Sequence, residues 1–294
     1  MLRIEKILCP VDFSEYSVKA YDYAHSLAQH YGAKLLLQHV VQPMTSAYPY
    51  YAFPDALNEV FWNLETRAGQ KLSEFASAHH ADGFEIERFV HKGTVPDCIL
   101  AFAGSQEADL IVMGTHGRHG FDHLTMGSVT EKVLRKAHCP VLVVRKPSHD
   151  FVQPGDAAEP VRLKKILYCT DFSDYSNRAL TYALSLAMEY NAELTLLHVL
   201  EDMPPADDLQ ERIAETTRRL DGLVPPEAQD WCKVISAVRI GEPYQQILQI
   251  AIETETDLVI MGVRGRNAVD LALFGSATHR VIQLGTSPVL AVHI

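Results

Sequence analysis

The chain has 294 residues, 47% of them hydrophobic, which is ample for two cores, and a formal net charge of -11. Residues 1–148 carry 14 Lys and Arg against 16 Asp and Glu, and the remainder 12 against 21, so neither half offers the basic stripe that nucleic acid requires. No apolar run approaches the roughly 18 residues of a membrane span. The opening MLRIEKILCPVDFS lacks the apolar core of a secretory leader, and five scattered cysteines (Cys9, Cys98, Cys139, Cys169, Cys232) read as reduced core residues of a cytoplasmic protein.

In chain order, Lys6 to Val11 is an apolar strand ending in Asp12, Phe13 and Ser14. A helical pattern follows through Tyr31, with Tyr21, Tyr23 and Leu27 as core positions and Gly32 as a C-cap, before a second strand, Leu35 to Val41. Gln42 to Pro54, with Tyr48, Tyr50, Tyr51 and Phe53, fits an aromatic lid or partner surface, or equally a loop folded onto its own domain. Ala56 to His80 reads as a long helix ending in the pair His79 and His80, Phe84 to Val90 as a strand, and Pro96 to Gly104 as a helix entered through Gly93. Leu110 to Met113 is a strand, Ser128 to Ala137 a helix, and Val141 to Val144 a strand.

A linker at 148–160, rich in proline and acidic residues, separates a domain at 1–147 from a second at 161–294, in which the order repeats. Lys165 to Thr170 ends in Asp171, Phe172 and Ser173; Ser176 to Tyr190 is a helix; Leu194 to Val199 and Lys233 to Ile240 are strands; Gly241 opens a helix; and Leu258 to Val292 repeats the layout of Leu110 to Val144. Asp12 and Asp171 are 159 residues apart but Gly114 and Gly262 only 148, so the second copy is eleven residues shorter between those points, most simply by trimming the aromatic loop.

The repeated stretch obeys one rule: glycine, two residues, glycine, nine residues, glycine, serine. It reads Gly114, Gly117, Gly127, Ser128 in one copy and Gly262, Gly265, Gly275, Ser276 in the other. An apolar run ending in Met113-Gly114 or Met261-Gly262 is a buried parallel strand emerging at its carboxyl end, where doubly wound sheets hold ligands. Glycines there permit positive φ and close approach, and a helix starting at the serine directs N–H groups and its positive end to one spot, an anion site suited to phosphate. Arg118 and Arg266 stand ready to neutralise charge. Turn formation alone is the plainer reading of each copy, and the shared spacing weighs against it. Asp12 and Asp171 fit a hydrogen bond to a base amino group or ribose hydroxyl, and also a helix cap.

There is no P-loop, no Gly-x-Gly-x-x-Gly after a first strand, and no hydrolase or zinc signature, so no catalytic residue is assigned. His116, His119 and His123 cluster in the first glycine loop, where the second copy has Arg264, Asn267 and Leu271; solvated histidines or a phosphate contact outweigh a metal site, and none is assigned.

On the Asp-Phe-Ser strand ends and the glycine-serine spacing, each half resembles a universal stress protein domain of the ATP-binding subgroup, and the whole resembles the tandem members. The resemblance implies two Rossmann-like α/β domains (adenine nucleotide alpha hydrolase-like), each a five-stranded parallel sheet of order 3-2-1-4-5, with ATP and Mg2+ between the first and fourth strands. It implies adenine-side contacts at Asp12 with Val40 and Asp171 with Val199. Phosphate and ribose contacts carry to Met113, Gly114, Gly117, Gly127, Ser128 and Val129, and to Met261, Gly262, Gly265, Gly275, Ser276 and Ala277, where alanine departs from the usual valine. It further implies pairing of Val141 to Val144 with Val289 to Val292 as an intramolecular pseudo-dimer, or a homodimer, and a role in stress response by nucleotide-dependent binding or signalling. Slow ATP hydrolysis or nucleotidyl transfer, and small-molecule or lipid carriage, are the alternatives.

Overall fold

A computed structural model describes residues 2–42, 54–78, 86–115, 126–145, 150–153, 160–203, 205–263 and 275–293. The aromatic loop residues Tyr48, Tyr50, Tyr51 and Phe53, the pair His79 and His80, and His116, His119 and His123 lie outside them. The first half runs β1 (Lys6–Pro10), α1 (Glu15–Tyr31), β2 (Lys34–Val41), α2 (Pro54–Ala78), β3 (Ile86–Lys92), α3 (Val95–Gln106), β4 (Leu110–Gly114), α4 (Ser128–Lys136) and β5 (Val141–Val144). The second runs β6 (Lys165–Cys169), α5 (Asp174–Tyr190), β7 (Glu193–Leu200), α6 (Leu209–Asp221), β8 (Val234–Ile240), α7 (Pro243–Glu253), β9 (Leu258–Gly262), α8 (Ser276–Leu284) and β10 (Val289–Val292).

Both opening helices stop where the residues dictate: Gly32 takes the left-handed conformation at φ 62°, and Asn191, the non-glycine residue most tolerant of it, does the same at φ 49°. The strands assemble into one ten-stranded sheet in the order β3-β2-β1-β4-β5-β10-β9-β6-β7-β8. Each half thus has the order 3-2-1-4-5, all parallel within the half. The halves join antiparallel, with Leu142 opposite Leu290, which covers two edges that would otherwise expose unpaired backbone.

Because strand side chains alternate between faces, the sheet carries two cores. Ile7, Leu35, Val112, Leu142 and their repeats Ile166, Leu194, Ile260 and Leu290 pack on one face with residues of α1, α2, α5 and α6. Leu8, Leu36, Ile111 and Val143 pack on the other with residues of α3, α4, α7 and α8. Both cores run through both halves without a break at the junction. Tyr21, Tyr23 and Leu27 are buried as expected.

The linker is more than a tether. Val152 and Val161 form an antiparallel bridge, and Phe151, Val152, Val161 and Leu163 are buried in the first core. Asp150 pins its start, accepting from Lys19 Nζ at 2.6 Å and from the Tyr23 hydroxyl at 2.9 Å. All five cysteines are free thiols, four of them buried; burial pushes the Cys139 thiol up to about 12, far from nucleophilic use. No helix among the described residues is long and apolar enough to cross a membrane.

Candidate nucleotide site

The reversal of strand order falls between β1 and β4 in the first half and β6 and β9 in the second, and the described ones among the marked residues lie there. Asp12 follows β1, and its Oδ1 accepts from Ser14 N at 3.0 Å and Ser14 Oγ at 2.6 Å; Asp171 repeats this with Ser173 at 3.1 and 2.6 Å. The helix cap is therefore the serine: Ser14 Oγ accepts from Ser17 N, and Ser173 Oγ from Ser176 N, both at 3.3 Å. Asp12 and Asp171 brace the cap rather than form it, a correction to reading them as caps themselves.

Between aspartate and serine the chain turns through a strained residue. Phe13 has φ 66° and Phe172 φ 61°, a left-handed conformation that disfavours side chains. Each ring is held from two sides. His39, whose Nδ1–H donates to the Val11 carbonyl at 2.7 Å, lies 4.5 Å from the Phe13 ring, and Lys71 Nζ of α2 sits 4.6 Å from the same ring. His198, donating to the Thr170 carbonyl at 2.7 Å, lies 4.5 Å from Phe172, with the Arg219 guanidinium of α6 at 3.8 Å. Sequence reasoning passed over these residues, although His39 and His198 keep the offset of 159 and Lys71 and Arg219 that of 148. Replacing Arg219 with alanine is expected to lower stability by about 0.5–1 kcal/mol, the worth of an exposed cation–π contact. An unchanged denaturant midpoint would remove the clamp.

Across the switch point, β4 and β9 end in glycines whose purpose differs from the one expected. Neither Gly114 nor Gly262 has positive φ. A Cβ on Gly114 would lie 2.9 Å from the Tyr16 carbonyl oxygen, and one on Gly262 2.8 Å from the Tyr175 carbonyl carbon. The missing side chain lets the first turn of α1 or α5 rest on the end of β4 or β9.

Gly127 and Gly275 also have ordinary backbone, φ -60° and -57°, and serve as N-caps of α4 and α8 with no side-chain cap hydrogen bond. Each helix start is stitched to its strand: Gly127 N donates to Thr115 O at 2.8 Å and Thr130 Oγ1 to Gly114 O at 2.9 Å, repeated by Gly275 N to Val263 O at 3.0 Å and Thr278 Oγ1 to Gly262 O at 2.9 Å. Ser128 and Ser276 are exposed at these ends. The first-turn N–H groups, which no helix can satisfy internally, thus open at the carboxyl edge of the sheet. Met113 and Met261 are 5% exposed, so their side chains belong to the core and only their backbone can meet a ligand. Val40, Val129, Val199 and Ala277 are half-buried around the crevice. Gly117, Arg118, Gly265 and Arg266 lie outside the described residues. No group of three or more metal-ligating side chains occurs among the described residues.

The two sites differ beside Val40 and Val199. In register with Val40 stands His91, and with Val199, Arg239. Fully buried Gln38 gives both its amide hydrogens away, to His91 Nδ1 at 2.8 Å and to Cys98 O at 3.2 Å, while its Oε1 has no partner among the described residues. This fixes the proton of neutral His91 on Nε2, and burial holds the ring below its usual pKa. The second half has Leu197, Arg239 and Gln246 at the positions of Gln38, His91 and Cys98, so its wall is apolar and cationic instead.

A doubly wound sheet with strand-end glycines, and helix starts without a side-chain cap at its switch point, defines a Rossmann-like α/β protein, here in two linked copies. The universal stress protein family model matches residues 3–145 and again 162–293, and the chain belongs to that family as a tandem member. It is 27% identical over 299 residues to a universal stress protein of Mycolicibacterium smegmatis, covering 97% of this chain and 96% of that one. It is 34% identical over 148 residues to one from Methanocaldococcus jannaschii, covering 50% of this chain and 85% of the relative. The crystal structure of a universal stress protein from Archaeoglobus fulgidus shares the fold over 99% of both chains, with a TM-score of 0.67 at 22% identity.

Proposed function

We propose that each half binds an adenine nucleotide, ATP with Mg2+, at its switch point, and that the protein acts in stress response by nucleotide-dependent binding or signalling in the cytoplasm. The observation that carries this reading is the pair of helix starts at Gly127 and Gly275, which offer backbone N–H groups and no capping side chain beside a strand end. The acceptor Asp12 or Asp171 lies across the crevice, too electronegative for phosphate and suited to the donors of base or ribose. Ser128 and Val129, or Ser276 and Ala277, would meet phosphate through backbone N–H groups, and the same contact serves alanine as well as valine. Mg2+ would travel with the phosphates, since one or two protein oxygens and water complete its shell. An acidic protein can hold such a ligand because local amides, rather than net charge, supply the field.

The test is calorimetry with MgATP on the whole chain and on Gly127→Glu, Gly275→Glu and the double variant. Both glycines have a backbone conformation open to any residue, so the substitutions place a carboxylate at the helix start without requiring a positive φ. The expected stoichiometry is two for the natural chain, one for each single variant and none for the double. Two equivalents in every variant would overturn the assignment.

A further inference from the structure

The junction between the halves has a pseudo-twofold axis, on which Leu142 faces Leu290, its equivalent at an offset of 148. Around such an axis equivalent positions meet, so a chain indifferent to its partner would place like residues face to face. At the ends of α1 and α5 it does not. His30 and Glu189 are equivalent, 159 residues apart, and His30 Nε2 lies 2.8 Å from Glu189 Oε1. Their neighbours Tyr31 and Tyr190 are also equivalent and identical: the Tyr31 hydroxyl donates to Glu189 Oε2 at 3.2 Å, and the Tyr190 hydroxyl donates to Tyr31 Oη at 3.5 Å. The His30 ring lies 4.8 Å from that of Tyr190. A single carboxylate, its side chain only 15% exposed, therefore terminates every donor of the cluster.

We propose that this asymmetric pair is a pairing key: it admits the first half against the second and rejects either half against a second copy of itself. Two first halves would set His30 against His30 and tyrosine against tyrosine with no carboxylate among them to end the chain of donors. Two second halves would set Glu189 against Glu189, two carboxylates largely shielded from water. Like charge at an interface suppresses wrong partners more effectively than any added attraction. The opposite face of the sheet closes the junction but does not choose the partner. There Arg145 donates to the Gln283 carbonyl at the end of α8, and His293 Nε2–H to the Leu134 carbonyl at the end of α4, at 2.6 Å. Arg145 and His293 are equivalent, and both are donors onto helix carbonyls that either half would present. Selection thus falls to His30 and Glu189.

The test compares the natural chain with His30→Glu, Glu189→His and the exchanged double variant. In the uncut chain each single change is expected to lower Tm by about 3 °C or more, and the exchange to recover most of that. For partner choice, a protease site placed within residues 154–159 allows the linker to be cut and the halves followed by native mass spectrometry. The cut natural chain and the cut double variant are expected to remain as one-to-one pairs of unlike halves. In the single variants that pairing should weaken by about ten-fold or more. Single variants that pair as tightly as the natural halves, a double variant no better than the singles, or natural halves that re-form like pairs would each overturn the key.

Discussion

Replacing Gly114 by alanine is expected to lower stability by about 2–3 kcal/mol, at the upper end for overpacking by one methyl group. The new Cβ would sit 2.9 Å from both the Cβ and the carbonyl oxygen of Tyr16, and 3.1 Å from its carbonyl carbon. Two of these three atoms are backbone, so no rotamer change relieves the contact. Nor can α1 withdraw freely, because its start is fixed by the Ser14 cap and the Asp12 brace, and its inner face is buried in the first core. Gly262→Ala should behave alike, against Tyr175 C at 2.8 Å and Ser176 N at 2.9 Å. Because the same approach sets the start of α1 or α5 against the strand end at the proposed site, each variant should also lose MgATP at its own site while the other site keeps it. Gly69 supplies the control: it lies within α2 with nothing inside 4 Å of its added Cβ, so alanine there should raise stability by about 0.5–1 kcal/mol. Denaturant midpoints read all three, and a Gly114→Ala variant as stable as Gly69→Ala would show that the helix does not rest on the strand end.

That prediction marks where sequence reading succeeds and where it stops. The elements and their repeat are legible because they follow from local period and from a spacing kept twice, whereas the strand order and the edge pairing of β5 with β10 come only through the family resemblance that this spacing carries. The glycine spacing points to the strand ends at the two switch points, yet the reason for Gly114 and Gly262 is contact with a helix about a hundred residues earlier in the chain, which no local pattern carries. Ser14 rather than Asp12 as the cap turns on a two-residue shift set by the left-handed Phe13 between them, and nothing in a phenylalanine announces positive φ. Helix α6, with Arg219 over Phe172, escaped notice because its charged face dominates the composition of residues 209–221. The His30–Glu189 contact joins residues 159 apart, and only the folded axis shows that equivalent positions meet.

The axis itself sets the second large effect. Leu142 and Leu290 are 3% and 5% exposed, pair across β5 and β10, and line one apolar cavity of about 40 Å³ with Leu27, Leu186 and Phe151. Truncating either leucine to alanine enlarges a space that already exists, in a part of the core fixed by the hydrogen bonds of the sheet on either side of the junction and roofed by the linker. Collapse around the hole is therefore limited, and the expected loss is about 4–5 kcal/mol for each single change, the upper part of the range for buried leucine. The double variant should lose less than the sum of the two by about 0.5–3 kcal/mol, because the contact between the leucines is counted in each single change but can be lost only once. Additivity to within about 0.3 kcal/mol would mean that the two side chains do not share the cavity. Since both cores continue across this point, the natural chain should unfold in one transition, whereas truncation at the axis weakens one of the two core layers that couple the halves. Two resolved transitions in the double variant, against one in the natural chain, would show that cooperativity between the halves depends on these two side chains more than on the linker that joins them.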